Sequence, residues 1–261
     1  MADLNKPVVI RGVTLGGGDG PLICTSLVGR TRDELLAELG QIVSFEPDLI
    51  EWRVDFYSGI ADRNGVLGLS ADLARVSRGI PLIFTVRSAR EGGEAISLGD
   101  EQVASLCVEA CETRAFGLID FELTAPRDGL DRVRAAARAT DTGLILSFHD
   151  FAGTPDGELL HAKFGEAKEL GGDVAKVAVM PHSVDDVLTL LRASHRAYES
   201  FDMPLITMSM GPLGVLTRVA GWMFGSSVSF AVGAASSAPG QLPIEDLRAG
   251  LAVLRKALEG A

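Results

Sequence analysis

Eight times along this chain a short apolar run is followed by a longer stretch with helical periodicity. The apolar runs fall at 22–28, 49–56, 82–86, 118–123, 144–148, 173–181, 205–210 and 228–232. The helical stretches fall at 31–44, 65–78, 100–115, 129–140, 157–169, 183–200, 213–222 and 244–258. Short runs of Val, Ile, Leu and Phe read as strands covered on both faces. Strands that alternate with helices are joined by parallel crossovers. Eight such units in 261 residues predict an α/β fold, a (β/α)₈ TIM barrel, which is typically built in about 250 residues. One domain over 1–261 is expected. Thr31 with Glu34, and Ser183 before Asp185 and Asp186, supply helix N-caps. Residues 8–10 and 13–15 predict a short N-terminal strand pair or plug, followed by a flexible run from Gly16 to Gly20. The alternative is an open doubly wound sheet. Its dinucleotide version is disfavoured, because no GxGxxG opens the first helix and there is no P-loop.

Charge and cysteine usage narrow the partners. A formal net charge of -11 argues against nucleic acid or an anionic membrane surface. No apolar run is long enough to span a bilayer, and the N-terminus lacks the basic and apolar regions of a leader. Three cysteines without a CxxC pair suggest a reducing compartment. A cytoplasmic location is therefore expected. Cys107 and Cys111, spaced i,i+4, read as one buried helix face.

In a barrel of this kind the active site lies at the carboxyl ends of the strands. The unusual polar residues gather there. The first strand carries Ser26. The second carries Glu51 and Arg53, with Asp55 beyond, and positions i, i+2 and i+4 share a face. The third ends in Arg87, with Glu91 and Glu94 in the loop after it. The fourth carries Asp120 and Glu122, and the fifth ends in Ser147, Phe148, His149 and Asp150. The sixth carries Lys176 amid Val and Ala. The seventh ends in Met208, Ser209 and Met210, and Arg218 follows early in the next helix.

Each residue has a plain structural reading. Arginines and carboxylates on neighbouring strands form ion pairs inside barrels, and Asp120 or Glu122 suits such a pair. His149 reads equally as a loop histidine, and Met208 and Met210 as packing. Lys176 by itself is either a strand lysine that snorkels or pairs, or a buried amine. Taken together, Arg53, Arg87, Lys176 and Arg218 predict a positive pocket in an acidic chain, suited to a small hydroxylated anion. Burial and the arginines are expected to lower the pKa of Lys176 from about 10.4 toward roughly 7–8. A neutral lysine attacks a carbonyl carbon. Of the four histidines only His149 falls at a strand's carboxyl end. His161, His182 and His195 read as surface residues. No histidine pair or histidine–cysteine cluster has metal-ligand spacing. A cofactor-free lysine–histidine site follows, in which the lysine forms a carbinolamine and then an imine while the histidine moves protons.

Six segments in order resemble one family. They are Glu51-Trp52-Arg53-Val54-Asp55, Arg87-Ser88-Ala89-Arg90-Glu91-Gly92-Gly93, Ser147-Phe148-His149-Asp150-Phe151, Val174-Ala175-Lys176-Val177-Ala178, Met208-Ser209-Met210 and Ser236-Ser237-Ala238-Pro239-Gly240-Gln241. The chain resembles the type I 3-dehydroquinate dehydratases, the Schiff-base class of the shikimate pathway. The resemblance implies a barrel that dehydrates 3-dehydroquinate to 3-dehydroshikimate, with no cofactor, no metal and a homodimeric state. It implies Lys176 as the imine-forming lysine, His149 as proton shuttle and Glu91 as its orienting carboxylate. Glu51, Arg53 and Arg87 match residues that hold ring hydroxyls. Arg218, Ser237 and Gln241 match the group that binds the substrate carboxylate. Ser26, Met208, Met210, Phe230 and Ala238 match pocket-lining positions. The loop 236–241 is expected to close over the pocket. This chain departs from the family between Gly211 and Thr217, where Pro212 is expected to stiffen the loop. Two rivals stand beside this reading. One is a class I Schiff-base aldolase, with Gly211 to Gly214 cradling a sugar phosphate. The other is a silent barrel that only binds a metabolite.

Overall fold

The alternation seen in the sequence is the chain order of the elements in the computed structural model, which describes residues 7–17 and 20–259. A hairpin comes first, β1 (Val8–Ile10) antiparallel to β2 (Val13–Leu15). Eight parallel strands follow: β3 (Leu22–Leu27), β4 (Leu49–Arg53), β5 (Leu82–Thr85), β6 (Leu118–Glu122), β7 (Gly143–Asp150), β8 (Val174–Val179), β9 (Leu205–Ser209) and β10 (Val228–Val232). The helices between and after them are α1 (Arg32–Ser44), α2 (Arg63–Val76), α3 (Asp100–Glu112), α4 (Arg127–Thr140), α5 (Gly157–Glu169), α6 (Val184–Ser200), α7 (Val215–Ala220) and α8 (Ile244–Glu259). A two-residue strand, β11 (Leu242–Pro243), lies beside β10.

Each strand from β3 to β8 pairs with the next, and β10 pairs with β3. The ring closes between β9 and β10 by a single bridge, Leu205 to Ser226, where Ser227 N–H donates to Leu205 O at 2.7 Å. This is the (β/α)₈ barrel with an N-terminal strand pair. Among the described residues no helix is long and apolar enough to cross a membrane.

The period of two sorts the side chains. Ile50, Trp52, Phe84, Ile119, Leu146 and Val177 point outward and pack on helix residues such as Leu39, Leu69, Cys107 and Cys111. Trp52 is fully buried and stacks on Phe116 at 6.2 Å. Truncating such a residue typically costs about 3–5 kcal/mol. The inward set begins with an apolar floor of Cys24, Leu49, Ile83, Leu118, Ile145, Val174, Ile206 and Val228. Ile10 and Leu15 of the hairpin pack against that floor, so the strand pair plugs the barrel's amino end. Two residues further along each strand, the same inward parity delivers Ser26, Glu51, Thr85, Asp120, Ser147 and Lys176, all buried. The barrel thus has an oily floor and a polar layer above it.

Local signals behave as expected at the caps. Thr31 and Glu34 form a reciprocal capping box, and Ser183 does the same with Asp186. Three boundaries differ. β4 stops at Arg53 and residues 54–56 turn into a 3₁₀ helix, so Asp55 leaves the strand and folds back onto Arg53. β7 runs to Asp150, which makes His149 a strand residue paired with Ala178. The helix after β9 is split, with 3₁₀ turns at 212–214 and 221–224 flanking a short α7. Pro212 starts the first of these turns, after Gly211 at φ 67°. Of the glycine run expected to be flexible, 18 and 19 lie outside the described residues, as do 1–6, where a leader was sought. All three cysteines are free and buried.

Candidate active site

Lys176 lies at the middle of β8 and is 4% exposed. Its Nζ donates to Asp120 Oδ2 at 2.8 Å and to Glu51 Oε1 at 3.2 Å, and sits 4.7 Å over the Phe230 ring. This corrects the expected direction of its pKa. Burial pushes the ammonium toward neutrality and is the largest single influence. Asp120 and Glu51 together outweigh it, with Arg87 opposing them, and hold the lysine above its ordinary value. The resting amine is therefore an ammonium ion.

The carboxylates are fixed in turn. Glu51 accepts Ser26 Oγ–H at 2.9 Å and Thr85 Oγ1–H at 3.0 Å. Burial raises its pKa, but Lys176 and then Arg53 bring it below the ordinary value. Asp120 accepts Arg87 Nη2 at 2.7 Å and Ser147 Oγ–H at 2.6 Å. Burial opposes its ionisation, yet Arg87 and Lys176 hold it well below the usual carboxylate range. Arg87 also donates to Glu122 Oε1 at 3.1 Å. Arg53 makes a two-pronged pair with Asp55, at 2.9 and 2.8 Å.

The expected positive pocket is not what these residues build. Arg53, Arg87 and Lys176 each have a carboxylate partner, drawn from Glu51, Asp55, Glu91, Asp120 and Glu122. A buried charge left unpaired is costly, so the strands carry an acid near every interior base. Arg218 is the exception. It is 2% exposed, and its partners are Met208 Sδ at 3.6 Å, Phe230 O at 3.5 Å and Pro239 O at 3.2 Å. Its Nε has no partner, and burial lowers its pKa to about 10.

His149 and Glu91 form the second functional pair. Glu91 sits on a 3₁₀ turn, Ala89–Glu91, after β5. Its Oε2 accepts both His149 Nδ1–H at 2.9 Å and His149 backbone N–H at 3.0 Å. Its Oε1 accepts Thr124 Oγ1–H at 2.6 Å. This leaves His149 Nε2 free to face the cavity as a base. Burial, with Arg87 and Lys176, holds the imidazole well below its usual pKa and therefore neutral. Burial raises Glu91 to about 7 against the opposing charge of Arg87.

The last loop lies against the mouth of the pocket. Gln241 Nε2 donates to Ser237 Oγ at 3.1 Å, and Ser237 Oγ donates to Ser26 Oγ at 2.9 Å. With the bond from Ser26 to Glu51, a chain of hydrogen bonds runs from the loop to the lysine's partner. Arg53 Nη1 reaches Ser237 O at 3.4 Å, and Pro239 O accepts Gly211 N–H at 3.1 Å. The pocket beneath the loop, partly open to solvent, has a volume of about 40 Å³.

Of the residues expected at the site, Lys176, His149, Glu91, Glu51, Arg53, Arg87, Met208, Met210, Phe230, Ser237, Ala238 and Gln241 line this one cavity. Ser26 and Arg218 stand one layer behind, joined by hydrogen bonds. Sequence reasoning left out Thr85 and Thr124, and gave no role to Ser147 or Phe151, which it named only at a strand end or in a matched segment. Thr85 and Ser147 were legible as lone hydroxyls at inward positions of apolar strands. Asp120 was read only as an ion-pair partner, and its bond to Lys176 was missed. Of the other histidines, His182 and His195 are exposed as expected, whereas His161 is half-buried and stacks on Phe201 at 5.0 Å. The phosphate cradle of the aldolase reading is not available. Gly211 N–H is spent on Pro239 O and Gly214 N–H on Gly211 O, both at 3.1 Å.

Comparisons agree with the geometry. A family model described as type I 3-dehydroquinase matches residues 23–257. The 3-dehydroquinate dehydratase of Albidiferax ferrireducens is 50% identical over 254 residues, covering 97% of this chain and 96% of its own. That of Aromatoleum aromaticum is 49% identical over 257 residues, covering 98% and 99%. The crystal structure of 3-dehydroquinate dehydratase from Geobacillus kaustophilus HTA426 superposes with a TM-score of 0.95 at 42% identity, covering 97% of this chain and 98% of that one.

Proposed function

Since the chain belongs to the type I 3-dehydroquinases and dehydrates 3-dehydroquinate in the shikimate pathway, we propose that it works through an imine on Lys176, with His149 carrying protons and Glu91 orienting His149. The observation that carries this reading is the shared cavity. Lys176 and the base face of a neutral His149 line the same small space, and the carboxylates of Asp120 and Glu51 back the lysine.

The chemistry balances as follows. Lys176 Nζ gives up a proton and adds to the ketone carbon, and the proton given up is returned to the carbinolamine hydroxyl. The carbinolamine loses water and becomes a protonated imine. His149 Nε2 takes the proton from the adjacent carbon, and the electron pair moves to the imine nitrogen as an enamine. The imidazolium then protonates the departing hydroxyl, which leaves as water. Hydrolysis of the imine consumes one water and frees the product ketone and the lysine. The net change is loss of one water.

The raised pKa of Lys176 has a use in this cycle. The free amine is a minor form at rest, but the imine must stay cationic to withdraw electrons. Asp120 and Glu51 stand where that cation forms, so they stabilise the charged intermediate more than the neutral amine. Glu91 does the same for the imidazolium of His149. A general acid–base of this kind contributes about 10²–10⁴-fold. His149→Ala is expected to keep imine formation on Lys176 and lose dehydration by at least that factor. Dehydration at the wild-type rate would remove His149 from the mechanism.

Glu51, Arg53 and Arg87 hold ring hydroxyls in this reading. Arg218 with Ser237 and Gln241 takes the carboxylate, and Ser26, Met208, Met210, Phe230 and Ala238 shape the pocket. Residues 236–241 lie against the pocket through Ser237, Ala238 and Gln241, and in this reading the loop closes over the bound ring. Protease nicking of this loop should be suppressed by saturating 3-dehydroquinate, and equal nicking with and without it would remove the lid role. The chain acts as one barrel domain over 1–261, in a cytoplasmic homodimer. Three buried free thiols support the reducing compartment, and the dimer rests on family membership. Sedimentation at micromolar concentration tests the dimer, and a monomer there would overturn it.

A further inference from the structure

The turn after β6 brings in a residue that the reaction as described does not use. Thr124 is exposed on that turn, yet its hydroxyl donates to the buried Glu91 Oε1 at 2.6 Å. The turn is pinned by two backbone bonds, Leu123 N–H to Ser147 O at 2.8 Å and Ala125 N–H to Glu122 O at 3.2 Å. The other Glu91 oxygen is taken by His149 through both its ring and its backbone. We infer that Thr124 is a positioning residue for catalysis, which keeps Glu91 ionised and aimed at His149 by satisfying the oxygen that His149 does not use. The inference rests on the lysine–histidine reading above.

The surroundings of Glu91 explain why one hydroxyl matters. Glu91 is buried, which disfavours its charge. Glu122 and Asp120 from β6 repel that charge as well. Arg87, at the end of β5, is 3.6 Å away and favours it, but Asp120 and Glu122 already share Arg87 at 2.7 and 3.1 Å. Arg90, on the same turn as Glu91, is exposed and engaged with Asp100 at 2.7 Å. His149 from β7 is neutral at rest and contributes N–H donors only. Among the described residues Thr124 is therefore the one neutral donor aimed at Oε1. Without it the carboxylate takes up a proton more readily, and a protonated Glu91 neither fixes the His149 tautomer nor supports its imidazolium.

Thr124→Val keeps the shape and fills the hydroxyl's place with a methyl that excludes water. Its kcat at neutral pH should fall about tenfold, the size of one lost hydrogen bond to a charged group. The acid limb of its kcat–pH profile should move up by about one pH unit, with KM nearly unchanged. Thr124→Ser should restore both. Thr124→Ala, where a water can enter, should fall between them. A Val variant whose pH profile superimposes on the wild type overturns the inference. So does a drop in kcat with no movement of the acid limb, or a Ser variant as impaired as Val, since each marks a structural role. His149→Ala is measured in parallel. If it loses dehydration while Thr124→Val is unchanged, only this inference falls. If it keeps dehydration, the histidine mechanism falls.

Discussion

Asp120 lies between two buried cations, 2.8 Å from Lys176 Nζ and 2.7 Å from Arg87 Nη2. One carboxylate therefore compensates the buried lysine and the pocket's best-paired arginine at once. Asp120→Ala would leave Lys176 with Glu51 and Arg87 with Glu122 and the more distant Glu91, so the loss should fall below the ~3–5 kcal/mol typical of breaking a lone buried pair. A lower unfolding free energy from urea denaturation is expected. Asp120→Asn keeps the volume and removes the charge, so Lys176 should deprotonate more easily. The pH dependence of hydride trapping on Lys176 should then shift to lower pH even though turnover falls. Unchanged stability in both variants would mean that the pairing is not maintained in solution.

Arg218 should behave in the opposite way. Among the described residues it is buried without a carboxylate partner and with its Nε unsatisfied. On the proposed role of Arg218 as the cation for the substrate carboxylate, Arg218→Met should raise KM by roughly 30- to 5000-fold, the range for truncating one partner of a buried charge pair. Folding stability should stay level or increase, because the free protein no longer carries that charge. Thermal denaturation separates the two roles. A large loss of stability would make Arg218 a structural residue.

Glu91 and His149 should make opposing contributions to stability between about pH 4.5 and 7. Glu91 is raised from 4.5 to about 7 in the folded protein, so the native state binds more protons there than the unfolded chain. Stability from this residue therefore falls as pH rises through that window, by roughly 3 kcal/mol in all. His149 is depressed below 6.5 in the folded protein, so the native state binds fewer protons. Its contribution is present above pH 6.5 and is lost as pH falls. The two act in opposite directions in the wild type. His149→Gln should become more stable from pH 7 to 4.5, and Glu91→Gln should become less stable below pH 6.5. Parallel stability profiles for the two variants would contradict the assignment.

How much of this was legible follows from the period of two. Inward parity on β4, β5, β6, β7 and β8 is enough to place Glu51, Asp120, Ser147 and Lys176 in one interior layer once the barrel is accepted. Lys176 and His149 stood out because a lysine inside an apolar strand and a histidine at a strand's end are both unusual there. The pairings did not stand out. Asp120 lies 56 residues from Lys176, and only ring closure decides which acid meets which base. For that reason the cations were legible as a positive cluster while their neutralisation was not, and the pKa of Lys176 was expected to move the wrong way. Asp55 shows the same limit at short range. A strand through 56 would have set it beside Arg53 along one face, but the chain turns at Val54 and brings its carboxylate back onto the guanidinium. Thr124 was invisible because an exposed threonine in a turn is ordinary until the buried carboxylate beneath it is known.

The account stands or falls on the imine. Incubation with 3-dehydroquinate, reduction with borohydride, digestion and mass spectrometry should find a reduced adduct on the peptide that carries Lys176. Lys176→Ala should give neither adduct nor turnover. Product formation in the wild type with no trapped adduct, or an adduct on any other residue, would contradict the central claim.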